Sequence, residues 1–248
     1  PVAILALWGY INATATPLHP NPQDTPSVRH SASSSKWADA VEHGRQIVRA
    51  ALTEQNLPGL SVGIGVDGDI VWAEGFGWAD LEKRLPVAPD TQFRIGTASI
   101  ALTSAAAGLL LEDGRLKLDE VIQTYVPGFP AKQRPVTLRH LMGHVAGVRN
   151  DGGDEGPLFS QHCGRTLDAL PFFKESSLLF EPGTQYRFSS YGWTLVSAAV
   201  EAAADEPFLL FMQKRIFEPL GMRDTAPDFA TEQIANRATF YFPRFAAD

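Results

Sequence analysis

The sequence predicts an α+β fold, in which an antiparallel pair of strands is combined with several helices. Leu60–Val66 and Ile70–Trp78 are apolar runs joined at Asp67-Gly68, and an Asp-Gly turn between such runs is a strong signal for a β-hairpin. Segments on either side repeat their apolar residues at the three-to-four-residue spacing of helices. A chain of 248 residues can bury a sizeable core, in one large domain or in two unequal lobes.

The predicted helices follow in order along the chain. Trp37–Gln55 carries apolar residues at helical spacing and stops before Pro58-Gly59. Ala98–Asp113 is almost wholly apolar, as expected for a central buried helix, and Gly114 ends it. The same periodicity predicts three further helices, at residues 136–144, 195–204 and 208–217.

Composition and charge are those of an ordinary globular protein with an acidic surface. The net charge of −7 argues against a nucleic-acid or anionic-membrane partner, because both are negatively charged. Cys163 is the single cysteine, which excludes an internal disulfide, and we expect it to be a structural thiol. We also expect no membrane span, because no apolar run is long enough to cross a bilayer.

The first residues predict an exported protein. Pro1–Ile11 is almost wholly apolar and is followed by Ala13-Thr14-Ala15, which resembles the end of a secretory signal peptide with its cleavage site. We therefore interpret residues 1–17 as a signal-peptide remnant and expect a periplasmic or secreted location. Residues 18–36 are rich in Pro, Ser and Asn and are predicted to be a flexible linker, which leaves residues 37–248 as the folded domain.

The most informative motif lies at the start of the predicted central helix, where residues 93–103 read Phe-Arg-Ile-Gly-Thr-Ala-Ser-Ile-Ala-Leu-Thr. This stretch resembles the active-site segment of the serine β-lactamase and penicillin-binding-protein family, usually F-R-I-(G/A)-S-x-S-K-x-L-T. Thr97 stands in the slot of the nucleophilic serine, and Ile100 stands in the slot of the lysine. The resemblance implies a serine-hydrolase fold with Thr97 as the candidate nucleophile.

These two substitutions bear directly on the chemistry. A hydroxyl is a poor nucleophile until an adjacent base takes its proton. In the family, serine and lysine lie one helical turn apart, and a desolvated lysine can accept that proton. Ile100 cannot, and the loss of a general base typically costs ~10²–10⁴ in rate. Two interpretations stay open: Thr97 is a working nucleophile, or Thr97 caps the helix while Ile100 packs in the core.

The second family motif, Y-x-N or Y-x-S/T, aligns with Phe188-Ser189-Ser190. The family's tyrosine hydroxyl helps to move a proton to the leaving group, which Phe188 cannot do. Ser190 is a candidate to hydrogen-bond a substrate amide or the nucleophile. If this stretch is a strand or a loop end, Tyr186 shares a face with Phe188 and is a candidate substitute for the tyrosine. Two residues beside the motifs are candidates to bind substrate: Ser99 and Tyr191.

The resemblance covers nearly all of the chain, from about residue 37 to 242. Five further phrases stand in family order: Pro58–Val62, Gly114–Asp119, Thr137–Gly147, Glu181–Thr184 and Pro219–Thr225. The branch that fits is that of class C β-lactamases, related esterases and mitochondrial β-lactamase-like proteins, which makes a mitochondrial location the alternative to export. The family fold is a helical lobe, here about residues 100–225, packed on an antiparallel sheet.

The third family motif, K-T-G or H-x-G on a late strand, is absent from this sequence. The chain stops at Asp248, where family members continue through their remaining strands. We therefore expect the C-terminal part of the sheet to be missing. A sheet with an open edge invites association, so a homo-oligomer is a further expectation.

Two functional hypotheses follow. The first is an acyl-transfer hydrolase of a small-molecule ester, amide or β-lactam, in which Thr97 forms the acyl-enzyme. The second is a catalytically inactive relative that binds a ligand or serves as a scaffold or filament subunit. No cofactor is implied. His140 and His144 have the spacing of zinc ligands on a helix, but Leu141 stands where metalloproteases need glutamate, so no metal is expected.

Overall fold

The computed structural model describes residues 16–30, 35–150, 163–229 and 232–241. The chain divides into two compact units: a sheet unit, Pro1–Arg94 with Asp228–Asp248, and a helical unit, Ile95–Pro227. The predicted α+β fold is confirmed, because an antiparallel sheet lies in the first unit and most of the helices lie in the second. Most of the predicted signal-peptide remnant lies outside the described residues.

The described part of the sheet contains four strands: β1 (Ser27–Arg29), β2 (Gly59–Val66), β3 (Asp69–Asp80) and β4 (Leu85–Pro86). β3 pairs antiparallel with each of the other three, and the main path runs β1-β3-β2. The predicted β2–β3 hairpin is confirmed. Asp67 and Gly68 have φ values of +53° and +88°, the pair of positive angles that a type I′ turn requires.

The segment predicted to be a flexible linker, residues 18–36, contains regular secondary structure in its described part. It contains a 3₁₀ turn at Pro22–Asp24 and strand β1, in which Val28 pairs with Gly75 of β3. The Pro-rich composition indicates a loop, but the edge of β3 provides partners for the backbone N–H and C=O groups of this segment. Long-range pairing of this kind leaves no local signal in the composition.

Helix α1 (Ala38–Glu54) packs on β3 and corresponds to the predicted helix in that region. Helix and sheet share a small buried core: Val41, Leu52, Trp72 and Phe76. The buried carboxylate of Glu74 accepts hydrogen bonds from Arg45 Nε at 2.8 Å and from Trp72 Nε1 at 2.9 Å. This buried, paired carboxylate ties the helix to the strand.

The helical unit is built around two long helices that contact each other, α2 (Ser99–Glu112) and α4 (Ser190–Ala204). Three shorter segments accompany them: α3 (Leu138–Met142), α5 (Phe208–Met212) and a π-helical segment, Gln213–Phe217. Their shared core includes side chains that are at most 1% exposed: Leu110, Leu141, Leu195 and Phe211. Gly114 follows α2 with a φ of +69°, as expected for a glycine that ends a helix.

Two of the predicted helices have different bounds in the structure. α3 ends at Met142 and not at His144, because His144 adopts a left-handed φ of +57°. α4 begins at Ser190 and not at Leu195, because Ser189 caps it by accepting a hydrogen bond from the Gly192 amide at 2.9 Å. Apolar periodicity indicates the turns of a helix that are buried on one side. A first turn that is stabilised by a cap need not follow this periodicity, so it is not predicted.

Candidate active site

The first motif forms an exposed turn immediately before α2. Gly96–Ala98 is a 3₁₀ turn, and Gly96 has a φ of +51°, in the left-handed region that suits glycine. Thr97 is exposed, and its hydroxyl makes no hydrogen bond to any described residue. No side chain caps either the turn or α2. The interpretation of Thr97 as a helix cap is therefore wrong.

The neighbours of Thr97 are engaged by the fold. Ile100 is half-buried and packs against the core of the helical unit, so an apolar side chain fills the lysine slot. Ser99 is exposed, and its hydroxyl donates a hydrogen bond to the Gly96 carbonyl at 2.7 Å. That bond uses the only proton of the hydroxyl. A role for Ser99 in substrate binding would rest on the lone pairs of its oxygen.

The second motif leads directly into α4. The buried hydroxyl of Ser189 accepts from the Gly192 amide and donates to the Arg149 carbonyl at 3.2 Å. Ser190 is the first helical residue, and its backbone N–H donates to Asn150 Oδ1 at 2.8 Å. The Ser190 hydroxyl is exposed and has no partner among the described residues. The strand or loop end considered for this stretch does not extend to Ser190, which begins a helix.

His144 connects this motif to the loop after α3. Its Nδ1 lies 3.1 Å from the Ser189 backbone nitrogen, and its Nε2 lies 3.1 Å from Trp193 Nε1. Both of these groups are donors only, and a neutral imidazole has a single lone-pair nitrogen, so it accepts one of the two bonds at a time. Burial lowers the pKa of His144, which keeps the ring neutral near pH 7.

These contacts decide what His144 can contribute. Its lone pair is occupied by an N–H group of the motif itself, which makes it unsuited to replace the missing base. Its role is to hold the backbone of the motif. Sequence reasoning did not find this role, and the only signal for it was the position of His144 within the family phrase Thr137–Gly147.

The aromatic residues of the second motif differ in their surroundings. The rings of Phe188 and Tyr186 both contact His144, with centroid distances of 4.7 and 5.9 Å. Tyr186 is 70% exposed. Tyr191 is 1% exposed and stacks on Phe173, with ring centroids 4.5 Å apart. The prediction that Tyr191 binds substrate is wrong, because that position of α4 faces the core.

Neither a metal site nor a membrane span is found in the part of the chain that the structure describes. There, no three His, Cys, Asp or Glu residues are grouped to hold a metal ion. His140 Nδ1 accepts from the Thr137 amide at 3.3 Å at the start of α3, whereas His144 lies beyond its end, so the two do not form a helical pair. No helix among the described residues has both the length and the hydrophobicity to cross a bilayer.

The helical unit thus presents the exposed hydroxyl of Thr97 immediately before a long helix. The first turn of α2 has no side-chain cap, so its N–H groups and the positive end of the helix dipole can stabilise a negative oxygen. No described side chain hydrogen-bonds Thr97 as a proton acceptor. The described residues around Thr97 thus combine an exposed hydroxyl with a favourable electrostatic environment, but they provide no base for that hydroxyl.

A protein-family model described as Beta-lactamase matches residues 45–247. The chain belongs to the beta-lactamase family. The serine beta-lactamase-like protein LACTB, mitochondrial, from Homo sapiens is 31% identical to it, over 83% of this chain and 50% of that protein. The protein of the same name from Bos taurus is 30% identical, over 87% of this chain and 51% of that protein. The chain therefore spans about half the length of the curated relatives it matches, and the resemblance to this branch of the beta-lactamase family is confirmed.

Solved structures confirm the β-lactamase/transpeptidase-like fold. EstCE1, a hydrolase with promiscuous acyltransferase activity, aligns with a TM-score of 0.68 at 26% identity, over 76% of this chain and 53% of that chain. An octameric penicillin-binding protein homologue from Pyrococcus abyssi aligns at 0.64 and 27% identity, over 74% and 43%. A class C beta-lactamase aligns at 0.70 and 20% identity, over 84% and 56%, which is a likeness of fold alone.

Proposed function

We propose that this beta-lactamase-family protein is an acyl-transfer hydrolase of small activated esters or amides, β-lactams included, with the Thr97 hydroxyl as its nucleophile. The observation that carries the proposal is the exposed Thr97 hydroxyl, without a partner among the described residues, at the uncapped start of α2. The likeness to EstCE1, a hydrolase with promiscuous acyltransferase activity, supports acyl transfer as the type of reaction. Ser190, whose hydroxyl is likewise exposed, positions the substrate.

In this reaction Thr97 Oγ1 attacks the carbonyl carbon and its proton passes to water, because Ile100 cannot accept it. The carbonyl electron pair moves onto oxygen, where the N–H groups at the start of α2 stabilise it. Collapse of this intermediate breaks the bond to the leaving group. Water then attacks the acyl-threonine ester, releases the acid and restores Thr97.

The leaving group decides which substrates fit. An activated leaving group departs as an anion and needs no proton donor, which agrees with Phe188 in the slot of the family's tyrosine. A poor leaving group needs a donor, and Tyr186, which lies against His144 beside Phe188, is the candidate phenol. Activated esters are therefore the substrates that this site favours.

The test is intact-mass spectrometry of the chain after incubation with a fluorophosphonate probe and, separately, with a penicillin. We expect a single adduct that maps to Thr97 and is absent from Thr97→Val, which removes the hydroxyl and retains the branched shape. Ser190→Ala is the companion variant, and it should keep the adduct. An adduct that maps to Ser190 or Ser99 would move the nucleophile, and no adduct on folded protein would exclude the hydrolase.

A second candidate is a catalytically inactive relative that binds a ligand or acts as a scaffold or filament subunit. The observation that favours it is that both proton-transfer slots hold packed apolar side chains, Ile100 in the core and Phe188 against His144. The octameric homologue supports a homo-oligomer. This candidate requires no covalent adduct, and its scaffold form requires an oligomer whose size grows with concentration. A strictly monomeric profile in light scattering would contradict the scaffold form.

The location of the protein is also a proposal. The mitochondrial relatives support a mitochondrial location, whereas the apolar residues 1–11 support export. Fractionation of cells that express the full-length protein distinguishes the two.

A further inference from the structure

We propose that a cavity in the sheet unit binds a small acid with a single carboxylate and a hydrogen-bond donor near it, either a hydroxyl or an ammonium group. The cavity has a volume of about 410 Å³ and is lined by the segment 18–26, by β3 and by the turn that follows β3. Small-molecule sites typically measure about 300–1,000 Å³. All lining residues belong to the sheet unit, and the proposal does not depend on the reaction of Thr97.

His19 is the first polar side chain that could bind a ligand in this cavity. It lines the cavity and is only 3% exposed. Its Nε2 lies 3.0 Å from the carbonyl oxygens of both Leu57 and Pro58, and because carbonyl oxygens only accept, Nε2 must carry the proton. In the neutral ring Nδ1 is then a lone-pair acceptor, and it has no hydrogen-bond partner among the described residues. This acceptor belongs to a residue that lines the cavity, so a ligand or a water there can donate to it.

Thr25 is a second buried polar side chain at the same cavity. It is 4% exposed, and its hydroxyl oxygen is buried without a hydrogen-bond partner among the described residues. Most buried polar groups in folded proteins are paired, so the unpaired hydroxyl of Thr25 calls for an explanation. A ligand with a polar hydrogen provides one, because it can donate to His19 Nδ1 and exchange a hydrogen bond with Thr25.

Arg84 provides the charge that selects a carboxylate. It lines the cavity and forms no ion pair with any described residue. A guanidinium can hold a carboxylate through two parallel hydrogen bonds. Asp24 lines the same cavity, and its carboxylate accepts a hydrogen bond from Asn21 Nδ2 at 2.9 Å. This fixed anion disfavours a second negative charge on the ligand, which is why we expect a ligand with one carboxylate only.

The apolar part of the lining favours an apolar group on the rest of the ligand. It includes Leu18, Leu81 and the indole of Trp78. An aromatic side chain of this kind packs well against a flat apolar ring. Four probes separate the required features. Phenyllactate and phenylalanine have both the carboxylate and the donor. 3-Phenylpropanoate lacks the donor, and 3-phenylpropane-1,2-diol lacks the carboxylate.

The experiment is calorimetric titration of the 248-residue chain with each probe, together with nitrogen NMR of labelled histidine. We expect phenyllactate or phenylalanine to bind and to shift the Nδ1 resonance of His19. The two deficient probes should bind about tenfold more weakly or worse, as expected when a charge-assisted hydrogen bond is lost. The stronger of the two complete probes identifies the donor as hydroxyl or ammonium. If neither complete probe binds, or if binding leaves His19 Nδ1 unchanged, the proposal is overturned.

Matched variants assign the binding to this cavity. Arg84→Gln should weaken the better probe about tenfold or more, whereas Arg223→Gln, at an exposed arginine of the helical unit, should leave it unchanged. Thr25→Val retains the shape of the side chain and should weaken binding about threefold to tenfold. His19 itself is left intact, because its substitution would break the bonds to two backbone carbonyls. Equal affinities of the two arginine variants would overturn the assignment.

Discussion

The two motif segments of the helical unit are held in opposite ways. The turn at Gly96–Ala98 is exposed and uncapped, and the Thr97 hydroxyl has no partner among the described residues. The segment Phe188–Ser190 has a buried cap at Ser189, and its backbone donates to His144 and Asn150. The first motif has a hydroxyl but lacks the family's lysine, whereas the second is held in place by hydrogen bonds but lacks the family's tyrosine.

This difference shows that the backbone conformation of a motif can be maintained without the family's proton-transfer side chains. The hydrogen bonds that hold the second motif go to its backbone and to Ser189, so they do not use the side chain at position 188. A tyrosine there would enter a frame that already exists. Ile100 packs against the core, so a lysine in its place must exchange apolar contacts for a partly desolvated amine.

Restoring both proton-transfer groups should remove the difference between the two motifs and have the largest effect. Ile100→Lys combined with Phe188→Tyr should raise the hydrolysis rate of an activated phenyl ester by about 10²–10⁴, the usual contribution of general acid–base catalysis. The measurement is the release of nitrophenol from nitrophenyl acetate.

Thr97→Val in the same background is the control, and it should remove the gain. A gain that survives Thr97→Val would show that the new groups act on another nucleophile. A folded double variant with no gain would mean that Thr97 is not placed for attack.

The sequence predicted those parts of the fold that have local signals. The Asp67-Gly68 turn predicts the hairpin because a type I′ turn needs two residues with positive φ, and Asp-Gly is a pair that adopts them readily. The apolar run of α2 predicts a buried helix without any information about its neighbours. Strand β1 escaped prediction because its partner, β3, is distant in the chain. The first turn of α4 escaped because a cap, and not an apolar stripe, adds it.

For the candidate site, the motifs located the candidate residues, but they did not predict the contacts that surround those residues. Thr97 and Ile100 could be located from the family phrase alone. Whether Tyr191 faces solvent depends on the phase of α4, which becomes known only when Ser189 is recognised as its cap. The engagement of His144 by two donors depends on a fold in which residues 144 and 189 meet, and no pattern in the sequence records that contact.

Two neighbouring serines of the second motif should differ in their contribution to stability, which is a smaller effect. Ser189→Ala removes the cap of α4 and leaves the Gly192 amide unpaired, so it should lower the free energy of unfolding by about 1–2 kcal/mol. Ser190→Ala removes an exposed hydroxyl without a described partner and should cost less than about 0.5 kcal/mol. Urea unfolding of both variants measures the difference. Equal losses would mean that the cap does not hold this motif.

The smallest effect concerns the histidine that holds the second motif. Burial lowers the pKa of folded His144 below its ordinary value of 6.5, so as pH falls the unfolded chain takes up the proton first. Stability from the neutral ring is therefore fully present above about pH 6.5 and is lost as pH falls below it, towards the lower folded pKa. His144→Gln can still accept a hydrogen bond but does not titrate in this range. Melting temperatures between pH 7.5 and pH 5 should thus fall more steeply for the wild type than for His144→Gln, since all other titrating groups are common to both. Parallel slopes would mean that the folded protein does not bury the ring of His144 against this motif.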